Sequence, residues 1–143
     1  MQRISLKPTK EKEFLSCVLE YYATNTLLLL ELAKCTNELK QLHNNNLVIP
    51  PFKNEYSIGS EVIALKLNDD TIKNALPVIM KRINLKENIG AIHILEGQNL
   101  VFLSGDNFHP ECISFLAIKS NEKIVNQLIA NKMAEIIFGP SDI

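Results

Sequence analysis

Asp106-Asn107-Phe108-His109-Pro110-Glu111-Cys112 is the one stretch of the chain dense in side chains that could do chemistry. His109 and Cys112 stand three residues apart, a spacing at which an imidazole can take the proton of a thiol nucleophile. The same pair could supply half of a zinc site. As a thiol centre the stretch lacks any recognisable nucleophile motif. Cys112 also falls at the start of an expected strand, away from a helix N-terminus that would favour the thiolate. A metal would need two more ligands, and beyond carboxylates the chain offers only the distant His43, His93, Cys17 and Cys35. The competing reading is a proline-containing loop before an edge strand, with Cys112 packed inward. His109 and Cys112 remain candidates, and the sequence assigns no catalytic residue, no metal and no cofactor.

Other reactive residues have structural explanations at hand. His93 suits a packed or partner-facing position. Asp69-Asp70 could hold a cation, but one aspartate at a helix N-cap explains the placement. Lys81, Arg82 and Lys86 read as a solvated helix end. Phosphate-binding, dinucleotide, EF-hand and serine-nucleophile motifs are missing from the sequence.

The composition bounds what can position these groups. The 143 residues make one domain, or one domain with an appended helix. At 46% hydrophobic and 22% charged, the chain can build a core. Its 15 basic and 16 acidic residues leave a net charge of -1, which argues against a nucleic-acid partner held by many phosphate contacts. No leader-like apolar stretch opens the chain, and its most apolar early run, 26–30, is far short of the roughly 20 residues of a membrane span. Three cysteines without a dense spacing pattern suit a reducing, intracellular location, cytoplasmic or, in a eukaryote, nuclear.

The strongest periodicity lies in residues 9–43. Heptads counted from Leu15 place Leu15, Tyr22, Leu29, Thr36 and His43 in one core position and Val18, Asn25, Leu32 and Leu39 in the other. Phe14, Tyr21, Leu28, Cys35 and Leu42 flank them. The phase holds through Ala23-Thr24-Asn25-Thr26, so one amphipathic helix of about 34 residues, about 50 Å long, is expected. A helical hairpin turning at 24–26 is the alternative. Asn44-Asn45-Asn46 would stop the helix, and 47–52, with Pro50 and Pro51, would be an edge strand at best.

Beyond it, residues 60–67 read as a strand, with a short helix as the alternative, 68–70 as a turn, and the residues from there to about Asn84 as a helix kinked or divided at Pro77. Residues 91–96 and 99–104 form a hairpin about Gly97-Gln98, with glycine first as a type II′ turn requires. That register sets Leu95 against Leu100, Ile94 against Val101, His93 against Phe102 and Ile92 against Leu103. A third strand follows from Cys112, and a C-terminal helix from Asn121 to about Phe138, with Ile136 and Ile137 on its apolar stripe.

The expected architecture is α+β: a long N-terminal amphipathic helix (1–46), then a body (47–143) of a small antiparallel sheet packed with two helices. The sheet would hold a three-stranded meander plus one or two further strands. This element order resembles that of roadblock/profilin-like proteins, and it is similar to the coiled-coil plus RWD arrangement of kinetochore subunits. Both likenesses rest on order alone, with no shared motif. The surplus apolar helix points to a non-enzymatic adaptor or scaffold subunit, binding a protein partner or a second copy through Leu15, Val18, Tyr22, Asn25, Leu29, Leu32 and Leu39. No nucleic acid or membrane partner is expected. A small inhibitor of a toxin, or a small enzyme or ligand-binding domain with its site at Asp106 to Cys112, are the alternatives.

Overall fold

The computed structural model of the protein describes residues 2–33, 62–81 and 83–138. The chain opens with a strand, β1 (Arg3–Pro8), and then a helix of only eleven residues, α1 (Glu11–Tyr21). β2 (Thr26–Leu32) and β3 (Val62–Leu67) follow, then α2 (Asp69–Lys81), the one-turn α3 (Leu85–Asn88), β4 (Ile89–Glu96) and β5 (Asn99–Ser104). β6 (Ile113–Leu116), α4 (Glu122–Ala130) and β7 (Ala134–Phe138) complete it. The seven strands form one antiparallel sheet in the order β3-β2-β4-β5-β6-β1-β7.

This overturns the long N-terminal helix, and with it the element order that carried the two likenesses. The helix ends at Tyr21, and the turn after it closes where Asn25 takes a left-handed φ of 69°. Thr26 Oγ donates to the Tyr22 carbonyl at 2.6 Å, and the Asn25 amide donates to the Leu67 carbonyl at 2.8 Å, which hands the chain to the sheet. The next run, Thr26 to Leu32, lies between β3 and β4 with apolar side chains on both of its faces. Such a strand needs a near-continuous hydrophobic sequence. Four successive leucines satisfy a helical period as readily as a strand, so the heptad register there was coincidental. Cys35, Leu39, Asn44-Asn45-Asn46 and the segment 47–52 lie outside the described residues.

Local chemistry sets the other boundaries. Asn68, rather than either following aspartate, caps α2: its Oδ1 accepts from the amides of Asp70 and Thr71 at 3.0 and 2.9 Å. Asp69 and Asp70 occupy the first turn, where the helix dipole favours negative charge. α2 is a single helix through Pro77, not two pieces. The β4–β5 turn has Gly97 at φ 62° with Gln98 outside the positive-φ region, the type II′ pattern. A bulge after Leu95↔Leu100 shifts the remaining register: Ile94 lies opposite Phe102, His93 opposite Leu103 and Ile92 opposite Ser104. Val101 is the extra residue, and it is buried in the core.

The expected helix to Phe138 stops at Ala130. Lys132 adopts φ 57°, while the Met133 amide donates to the Leu128 carbonyl and the Lys132 amide to that of Ile129. This is a Schellman closure with lysine where glycine is usual. It reverses the chain so that β7 runs back along β1.

The described helices lie against one face of the sheet. Phe14, Leu15, Val18 and Leu19 of α1, Ile72, Ala75 and Ile79 of α2, and Ile124, Val125 and Leu128 of α4 share one core with Leu28, Leu65, Ile94, Phe102 and Phe115. The alternate residues Leu29, Ala64 and Leu95 form a second buried cluster on the other face, with Leu27, Val62 and Leu100 against it. Strands from both sides of residue 46 thus share the sheet. Among the described residues, no helix is long and apolar enough to cross a membrane.

Candidate functional site: the sheet edge at β7

The stretch from Asp106 to Cys112 is built around a buried phenyl ring. Asp106, Asn107 and Phe108 all take positive φ, at 47°, 53° and 61°. The Asn107 amide donates to the Gly90 carbonyl at 3.0 Å and its Nδ2 to the Lys86 carbonyl at 2.6 Å. These bonds drive Phe108 into the core, where its ring meets Phe14 edge-on at 6.2 Å. Pro110 opens a 3₁₀ turn, and His109 Nδ1 caps it by accepting from the Glu111 amide at 3.1 Å. No hydrogen bond joins this imidazole to the Cys112 thiol, which is exposed rather than packed inward. The described residues hold no group of three metal-binding side chains.

Two polar groups with shifted proton affinities, the buried Tyr22 and the half-buried Arg3, make bonds between elements of the fold. Tyr22 Oη donates to Asn121 Oδ1 at 2.6 Å, and Asn121 Nδ2 donates to the Leu116 carbonyl at 2.8 Å. Burial, reinforced by Tyr21 and Glu96, pushes the Tyr22 phenol far above its usual range. Arg3 reaches across the helix-free face, donating from Nε to Ser114 Oγ at 2.7 Å and from Nη1 to the Leu100 carbonyl at 3.0 Å. Burial pushes its guanidinium below the ordinary value, against the opposing influence of Tyr22. His93 lies on the same face between Leu29 and Leu103, and burial lowers its affinity for a proton.

The residues that sequence periodicity grouped as one binding stripe are dispersed. Leu15, Val18 and Tyr22 face the helix-side core, as does Leu32 at the end of β2. Leu29 belongs to the cluster on the opposite face, and Asn25 is an exposed turn residue. Leu39 lies outside the described residues.

The apolar surface left exposed is elsewhere. Ile136 and Ile137, at 54% and 46% exposure, are the large hydrophobic residues that stand open to solvent among the described residues. Both lie on β7, which ends the sheet order beyond β1. Pairing with β1 fixes how this strand presents its backbone. The Thr9 amide donates to the Met133 carbonyl at 2.8 Å, and Pro8, which has no amide hydrogen, lies opposite Ala134. Antiparallel pairs alternate between bonded and unbonded. Lys7↔Glu135 is therefore a bonded pair and Leu6↔Ile136 an unbonded one, so the Ile136 amide and carbonyl point outward, away from β1. A bulge follows, with Ile137 the extra residue between the pairs Leu6↔Ile136 and Ser5↔Phe138.

In the sequence, Ile136 and Ile137 continue the apolar stripe of a C-terminal helix, whereas in the structure they lie on β7. The contrary signals were Asn131-Lys132, a poor helix continuation, and the β-branched pair in Ala134-Glu135-Ile136-Ile137-Phe138. Compared with known protein families, with curated proteins and with solved structures, the chain has no match.

Proposed function

We propose that the protein is a non-enzymatic protein-interaction subunit that receives an extended strand along the outer edge of β7. The observation that carries this reading is the coincidence, on one terminal strand, of an outward-facing Ile136 backbone and two exposed isoleucines. Main-chain bonds along a sheet edge supply affinity in strand addition, and the flanking side chains supply selectivity. An exposed apolar edge without lysine or proline in it is a surface that soluble proteins otherwise blunt. We place the protein in a reducing intracellular compartment, a reading supported by the free thiols of Cys17 and Cys112.

The test compares proteins of the native host retained by the wild-type chain with those retained by Ile136→Lys and by a control on the exposed face of α2, Lys73→Glu. A binder kept by the control, lost with Ile136→Lys, and able to slow exchange of the Ile136 amide is expected. Binders indifferent to Ile136→Lys would overturn the reading.

A further inference from the structure

We infer that the strand received by β7 is β7 of a second copy of this chain, paired antiparallel about a two-fold axis at Ile136; the inference rests on the edge reading above. The outward amide and carbonyl of Ile136 set the phase. An antiparallel partner must present an outward-facing residue opposite it, and Ile136 of an identical strand does so, giving two symmetric N–H···O=C bonds. In that register Glu135, the one charged residue of β7, falls opposite Ile137 of the second copy and not opposite its own counterpart. The two Ile136 side chains lie side by side, each covering apolar surface that is now open to solvent.

The other end of the sheet is a poorer partner. β3 carries the exposed Lys66 in its pairing strand, a residue type that protects edges. Pairing β7 with β3 would also be head-to-tail and would propagate, whereas β7 with β7 closes after two copies. The bulge at Ile137 and the five-residue length of β7 keep the joined region short. Its area falls below that of stable specific interfaces, so dissociation is expected at roughly 10 µM to 1 mM.

The experiment measures absolute mass by light scattering over that concentration range. The wild-type mass is expected to rise from 16.1 kDa toward twice that value. Ile136→Lys is expected to move the midpoint upward at least about tenfold, since a charge would sit against its own copy at the axis. A semisynthetic chain with an N-methyl group on Ile136 keeps every side chain and the inward bonds to β1, and it is expected to remain monomeric. A dimer insensitive to N-methylation overturns the inference. So does a wild-type monomer at the highest concentration. In that case fast exchange of the Ile136 amide would leave the edge reading standing for another partner, and slow exchange would remove both.

Discussion

Replacing Asn121 by leucine tests whether the end of α1 is tied to the sheet as described. Asn121 is buried, accepts from Tyr22 Oη at 2.6 Å and donates to the Leu116 carbonyl at 2.8 Å; a further bond to Val101 at 3.4 Å is long enough to count for little. Leucine keeps the branched shape and removes both good bonds, leaving the buried Tyr22 hydroxyl without a partner, while the Leu116 carbonyl keeps the Ile118 amide at 2.9 Å. At about 1–3 kcal/mol for the orphaned hydroxyl and about 1 kcal/mol for the lost bond to Leu116, Asn121→Leu is expected to cost about 2–4 kcal/mol. Tyr22→Phe orphans only Asn121 Oδ1 and is expected to cost about 1–3 kcal/mol. The double variant cannot lose the shared bond twice, so it is expected to fall short of the sum by about 1–2 kcal/mol. With a urea m-value of about 2 kcal/mol/M, that coupling displaces the unfolding midpoint by about 0.5–1 M, which equilibrium unfolding of the four proteins reads directly. Additivity within about 0.3 kcal/mol would refute the Tyr22–Asn121 bond and the tie it makes between the end of α1 and the segment after β6.

Further tests address other parts of the structure. Phe108→Ala is expected to cost about 3–5 kcal/mol, because the loop's strained backbone is held by that ring in the core; a loss under about 1 kcal/mol would mean the ring is no anchor. His93 is held below its ordinary value of 6.5, first by burial and then by Arg3, with Glu31 opposing. The unfolded chain therefore binds this proton more readily, so the His93 contribution is present above pH 6.5 and is lost as pH falls toward the lowered value. Urea midpoints between pH 7.5 and 5.5 should fall less steeply for His93→Gln than for wild type, and parallel profiles would contradict this. In a Cys35→Ser background, a thiol reagent should label exposed Cys112 before Cys17, whose thiol is pushed up by burial and by Glu20. The reverse order would contradict the placement of Cys112 on the surface.

What could be read from the residues was local. The hairpin at Gly97 was legible because turn glycine and flanking alternation act over a few residues. The bulge at Val101 was not, since it arises from the need to bury Val101 and Phe102 together. β1 left a trace in the alternation of Arg3, Ser5 and Lys7 with Ile4 and Leu6, but six residues give a weak signal. β2 was hidden by its own hydrophobicity: a strand buried on both faces loses the period of two that would distinguish it from a helix. A different ambiguity concealed β7: five residues with an apolar pair continue the stripe of α4 as readily as they form a strand, and the closure of α4 at Lys132 is what separates the two. The chemistry imagined for His109 and Cys112 rested on spacing alone. Spacing did not reveal that the imidazole caps its own turn.

The most direct test of the edge is residue-resolved amide hydrogen exchange across β7 in dilute solution, below the concentration at which copies would pair. The Glu135 amide, bonded inward to β1, is expected to be protected, and the Ile136 amide, facing outward, to exchange rapidly. Protection of Ile136 equal to that of Glu135 would show the edge already covered within one chain, and strand addition at β7 would then have no place to occur.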